Sequence, residues 1–208
     1  MRTNKSAAHS LEELCTYANS SKAWLDRDDS PRELVFWEQL RELVITVAQE
    51  EFKWGKLPRI TKYHILDSLI IDKFPDNVKH KKLIEMEEKV AAKLPKGRKV
   101  ANLPGLCDVG RCSISFKTDL CNINEVGDIT IIDFMPLKPE ELPWYSQSYM
   151  DAKYHLLCSY VPDLTYLIYS VAPANQLKIR QFLPQKTAKE LYISLQYWYS
   201  GVVNRIVP

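Results

Sequence analysis

Apolar side chains at Phe36, Leu40, Leu43 and Val47, with Trp37, Val44 and Ala48 beside them, recur at the helical period. They predict a long amphipathic helix. Ser30-Pro31-Arg32-Glu33 supplies its start: an N-cap serine, a proline at the first helical position and the acidic partner of a capping box. Gly55 marks its end. Upstream, Leu11 to Trp24 fits a shorter helix. Downstream, Tyr63, Leu66, Leu69 and Ile70 predict a second long helix from Thr61 to about Phe74, stopped by Pro75. A third, highly charged one runs over Asn77 to Leu94.

From Arg98 the period changes. Ser113-Ile114-Ser115-Phe116-Lys117 alternates as a half-buried strand does. Asn122 to Gly127 reads as a turn and Asp128 to Phe134 as a more buried strand, so the two make an antiparallel hairpin. Pro136 and Pro139 interrupt the chain. Tyr145, Tyr149, Leu156 and Tyr160 restore the helical period over Trp144 to Tyr160, ending at Pro162. Leu164 to Val171 is almost wholly apolar and rich in β-formers, as an interior strand is. Asn175 to Phe182 follows as a short strand. Thr187-Ala188-Lys189-Glu190 is a second capping box, opening a closing helix through Tyr192, Leu195, Trp198 and Tyr199. The order is helices, two or three strands, a helix, two strands, a helix. It predicts a mixed α/β fold: a central sheet of four to five strands flanked by helices, with an N-terminal helical region. With no repeat and no linker, residues 1–97 (helical) and 98–208 (α/β core) form one domain.

Composition narrows the function only slightly. The 208 residues are 46% hydrophobic and 26% charged, enough for a packed core, and the net charge of +2 excludes a polybasic binder. Asn77 to Lys99 nevertheless holds eight basic residues against three acidic, which fits either a solvated helix face or a phosphate-binding surface. No apolar run is long enough to span a bilayer, so no membrane is expected as a partner. No apolar segment follows Met1 to Ser6, so a cytoplasmic location is expected. Five cysteines without a pairing pattern read as free thiols. Cys107, Cys112 and Cys121 with His155 could be drawn as a zinc site, but at irregular spacings.

The chemistry lies in Asp119 and Asp133. On adjacent antiparallel strands the two carboxylates come within a few ångströms of one another. They repel unless a cation sits between them, and hard oxygens suit Mg²⁺ or Mn²⁺. Such an ion activates water and stabilises the charge of a phosphodiester transition state. Solvated strand-end aspartates are the plainer alternative. On the metal-site reading, Asp133→Ala removes a like-charge repulsion and raises the melting temperature of the free protein.

Thr118-Asp119-Leu120 and Glu125-Val126-Gly127-Asp128-Ile129-Thr130-Ile131-Ile132-Asp133-Phe134 resemble the core of PD-(D/E)XK nucleases, especially the RecB-like branch. The helix around Ser146-Gln147-Ser148-Tyr149 and the strands and helix after it extend the resemblance, over roughly residues 30 to 204. It implies a restriction-endonuclease-like core and a metal-dependent DNA nuclease. Asp119 and Asp133 would be catalytic metal ligands for Mg²⁺ or Mn²⁺, with Glu38 (or Glu42) joining from the long helix. Gln147 and Tyr149 would meet the DNA backbone. The motif lysine, however, is replaced by Met135. That lysine positions the attacking water and offsets developing charge. Two lysines could substitute. Lys153, on the following helix, has a stem long enough to cross apolar surface and is the catalytic choice. Lys138, between Pro136 and Pro139, is directed away from the sheet edge and is placed among the DNA contacts. A silent nuclease fold serving as a nucleic-acid-binding or protein-interaction module is the alternative. DNA is the expected partner, and a homodimer is left open.

Overall fold

The structure is a computed structural model that describes residues 8–19, 32–73, 80–110, 112–136, 145–172 and 176–204. The Ser30 capping box, Trp24, Pro75, Lys138, Pro139 and Trp144 lie outside the described residues. The elements run β1 (His9–Ser10), α1 (Leu11–Asn19), α2 (Arg32–Trp54), α3 (Arg59–Lys73), α4 (His80–Ala91), β2 (Arg98–Val109), β3 (Cys112–Ile123), β4 (Ile129–Pro136), α5 (Gln147–Cys158), β5 (Thr165–Ala172), β6 (Gln176–Gln181) and α6 (Ala188–Asn204). The fold is mixed α/β, and its architecture is consistent with a restriction-endonuclease-like core.

The sheet order is β1-β3-β4-β5-β6, with β2 also pairing β3. β2–β3, β3–β4 and β5–β6 are antiparallel; β4–β5 is parallel and is joined through α5, as a parallel pair requires a crossover. Strand β5 lies between β4 and β6, which explains its apolar sequence. Side chains alternate along it, so Tyr166 and Tyr169 face opposite sides. Tyr166 stacks on Tyr154 of α5, whereas the Tyr169 hydroxyl donates to Lys93 O, just past α4, at 2.7 Å. Helices therefore cover both faces. α2 packs on α3, α4 and strands β2 to β5; α1, α5 and α6 pack on one another. The stripe of α2 (Phe36, Trp37, Leu40, Leu43, Val44, Val47, Ala48) is buried, and the helix stops at Gly55, whose φ of 79° favours glycine.

Three boundaries differ from the sequence expectation. Strand β2 is a full twelve-residue element, and the hairpin it makes with β3 is longer than the expected β3–β4 one. Asn122 belongs to β3, paired with Thr130; the turn is Asn124 to Asp128, where Asn124 Oδ1 accepts from the N–H groups of Val126 (3.0 Å) and Asp128 (2.8 Å). α5 starts at Gln147, capped by the Ser146 hydroxyl, which accepts from Tyr149 N–H at 3.1 Å. The Thr187 box forms as expected: Thr187 N–H donates to Glu190 Oε2 (2.8 Å) and Glu190 N–H to Thr187 Oγ1 (3.4 Å).

Candidate functional site

β3 and β4 pair over Leu120–Ile123 and Ile129–Ile132. The next opposed residues are Asp119 and Asp133, and there the strands part, β3 staying with β2 and β4 with β5. Asn102 stands opposite Asp119 on β2 with a φ of 51°, at the position missing from that ladder. Neither aspartate is a solvated strand end: they are 4% and 1% exposed. Where the backbone ladder fails, the carboxylates replace it. Asp119 N–H donates to Asp133 Oδ1 at 3.0 Å, and Phe134 N–H donates to Asp119 Oδ2 at 2.8 Å. Buried backbone groups need partners, and these side chains supply them.

Two cations complete the cluster. Arg41 of α2 donates to Asp119 Oδ1 from Nε at 2.8 Å and from Nη2, while its Nη1 lies 3.3 Å from Glu42 Oε1. Lys153 of α5 pairs with Asp133 Oδ2, and the Tyr166 hydroxyl donates to the same oxygen. Arg41 comes from one helix layer and Lys153 from the other. Two buried carboxylates thus meet two cations, with Glu42 sharing Arg41 at the partly exposed edge, and all four aspartate oxygens accept at least one hydrogen bond. Burial pushes the Asp119 carboxyl up from its ordinary value; Arg41 opposes that and Asp133 adds to it. Burial would lower the Arg41 guanidinium, but Asp119, Glu42 and Asp133 outweigh it and raise it. The repulsion expected between the aspartates is therefore already offset within the chain, so Asp133→Ala is expected to cost stability where like-charge repulsion alone would predict a gain.

This arrangement does not fit a divalent ion. Mg²⁺ requires about six oxygens around one open centre, whereas here each carboxylate oxygen is turned to an N–H or O–H donor. Among the described residues, no three His, Cys, Asp or Glu side chains converge on a point. Glu38 lies near Arg41 on α2, and its carboxyl is raised by burial and by Glu42 against the pull of Arg41. It makes no hydrogen bond or ion pair to either aspartate among the described residues.

Of the two expected DNA contacts on α5, Tyr149 is buried and Gln147 is half-buried. Tyr149 is 2% exposed, with Lys153 Nζ 6.0 Å from its ring centre, so it belongs to the core and offers no surface to a strand. Gln147 gives its amide to buried Asp151 Oδ1 at 2.9 Å, an oxygen that also accepts from Gln185 N–H. Lys138 lies outside the described residues. The four side chains of the drawn zinc site do not meet: Cys112 and Cys121 are buried in β3, and His155 Nε2 lies 2.8 Å from Lys186 O. Sequence reading missed Arg41 and Tyr166. Arg41 shares a helical row with Trp37, Val44 and Ala48, so a basic residue inside the apolar stripe was its signal. The Tyr166 hydroxyl lies in an interior strand, where it must find a partner.

No protein-family profile matches the chain, and no curated protein matches it in sequence. Solved structures do. A protein of Eubacterium rectale named a putative exonuclease matches with a TM-score of 0.51 and 10% identity, over 95% of this chain and 79% of that one. The protein SSO0001 matches with a TM-score of 0.40 and 9% identity, over 88% and 82%. The fold resembles that of the protein named a putative exonuclease. At that identity the likeness concerns the fold alone.

Proposed function

We propose that this chain is a nuclease-fold protein that binds nucleic acid without cleaving it, its acid pair serving as a charge-matched joint between sheet and helices. One observation carries the reading: Arg41 and Lys153 occupy the carboxylates that a catalytic ion would need. Hydrolysis through this fold needs those oxygens to face an ion and a reachable phosphate, and here they are buried and saturated. For the partner, Lys89 to Lys99 holds five basic residues and no acidic one, with Lys89, Lys93, Lys96 and Arg98 exposed. Such a run supports salt-sensitive contact with a phosphate backbone. The test is calorimetric titration with Mg²⁺ and Mn²⁺, then plasmid and single-strand cleavage and retention of labelled DNA. The expected result is no metal heat, no cleavage, and retention that fades as salt rises.

A specific observation favours a second reading, a metal-dependent deoxyribonuclease. The migrated lysine of that reading, Lys153, does touch Asp133. Divalent-dependent cleavage that disappears in both Asp133→Asn and Lys153→Met would replace the first reading with the second.

A further inference from the structure

A cleft of about 1010 Å³ lies between the C-terminal half of α2, the start of α3, the end of α4 and the start of β2. Its lining combines apolar side chains, Val44, Val47 and Leu94 among them, with charged ones. It does not include the acid pair: none of Arg41, Asp119, Asp133 and Lys153 is among its lining residues. The carboxylates of the cleft are all engaged. Glu87 takes Lys62 Nζ at 2.7 and 3.0 Å, Glu51 takes Leu57 N–H at 3.2 Å and faces Lys62 at 3.7 Å, and Glu88 pairs with Arg59 at 3.3 Å. Three lining cations remain. Lys56, Arg98 and Lys99 make no ion pair among the described residues.

One of the three lies on an aromatic face. The Arg98 guanidinium carbon lies 4.9 Å from the centre of the Phe52 ring, and Phe52 is 53% exposed. Gly97 sets this edge: its φ is 138°, and a Cβ there would stand 2.4 Å from Ile123 O, so only glycine lets β2 start so close to β3. That close start brings Arg98 and Lys99 to the rim. An arginine stacked on an exposed aromatic ring is a platform for a nucleobase, apolar lining suits the base and sugar, and lysine ammonium groups outside any ion pair suit phosphate. A fatty or purely apolar ligand would leave the rim charges unanswered, and inorganic phosphate would leave the platform and apolar lining unused.

We propose that this cleft binds a nucleoside phosphate, with Lys56 and Lys99 on the phosphate and the Arg98–Phe52 stack beneath the base. The ligand is a free nucleotide or the phosphorylated end of a strand, which share this chemistry. The proposal stands apart from the acid pair, so cleavage at Asp119 and Asp133 would leave it intact.

The test titrates the full chain at low salt with AMP, adenosine, inorganic phosphate and a short 5′-phosphorylated oligonucleotide. AMP is expected to bind at least about tenfold more tightly than adenosine or phosphate alone. Lys56→Ala with Lys99→Ala is expected to weaken AMP by about tenfold or more, and Phe52→Ala to weaken AMP while leaving phosphate unchanged. Lys189→Ala, on exposed α6, is the neutral control. Lys56 is exposed and unpaired, so Lys56→Glu alone provides a second variant that leaves packing intact. Equal affinity for AMP and oligonucleotide identifies the free nucleotide; clearly tighter oligonucleotide binding identifies the strand end. Failure of both AMP and oligonucleotide to bind would overturn the proposal. So would binding that the Lys56, Lys99 and Phe52 variants leave unchanged.

Discussion

Where β3 and β4 part, two carboxylates meet two cations and no carboxylate oxygen is left over. Where α2, α3 and α4 meet, Lys62 is shared by Glu87 and Glu51, and three further cations that line a cleft make no ion pair among the described residues. Both places bury charge. The first does so inside the sheet, where Asp119, Asp133 and Lys153 are all less than 5% exposed, so every charge has to be answered within the chain. The second does so between helices, beside open space that an external anion can enter. A charge-matched joint holds a fold together; cations outside any ion pair leave something for a ligand to do.

The largest effects should come from unbalancing the first region. Lys153→Met leaves the Asp133 carboxylate buried without its cation, and removing one member of a buried pair costs about 3–5 kcal/mol. Thermal or denaturant unfolding measures it. Asp133→Asn combined with Lys153→Met removes both charges while keeping an oxygen for Asp119 N–H. The double variant should recover much of the single loss, with a coupling of up to about 3 kcal/mol. If Lys153→Met unfolds like the wild type, the joint is not closed and the comparison fails at its first term.

A smaller effect is expected in the second region. Lys62→Met strands Glu87, which is 1% exposed, but Glu87 can neutralise itself by taking a proton. Burial already raises its carboxyl above the ordinary value, with Lys62 holding it down. In the variant it rises further. A group whose folded pKa lies above its unfolded one favours the fold below the unfolded value and loses that contribution as pH climbs through the folded value. The loss in Lys62→Met should therefore be slight in acid and grow toward neutrality to about 1–3 kcal/mol. A loss that is flat across pH would show that Glu87 is not stranded.

Much of this contrast was hidden in the sequence for identifiable reasons. α2 was legible because its apolar row repeats over more than three turns, and the order of strands and helices after residue 112 followed from period changes and proline stops. β2 was not, because an edge strand need not alternate: it contains Pro104, Gly105 packed under the Phe116 ring, and Asn102 with positive φ. Asp119 and Asp133 were legible as a facing pair from the turn between them. Arg41 was not, since it lies 78 residues from Asp119 and only the packing of α2 on the sheet brings them together. Tyr149 was read as a DNA contact by resemblance. Its place in a row with Lys153 and Leu156 on α5 instead marks the inward face, where all three are buried.

The smallest expected effect, no shift at all with Mg²⁺ or Mn²⁺, discriminates most sharply between the two regions. A ligand present at a hundred times its Kd stabilises a fold by about 2.7 kcal/mol. For a chain of this size that moves Tm by roughly 5–10 °C. Mg²⁺ or Mn²⁺ should produce no such shift, because binding at Asp119 and Asp133 would first have to displace Arg41 and Lys153, each held inside the sheet by a buried ion pair. AMP, entering the open cleft, displaces no ion pair of the chain and should raise Tm at the same relative concentration. A clear rise with Mg²⁺ that vanishes in Asp119→Asn would show that the joint opens to an ion. A rise with Mg²⁺ that survives Asp119→Asn but vanishes when AMP is omitted would place the ion on the nucleotide's phosphates, and the acid pair would remain closed.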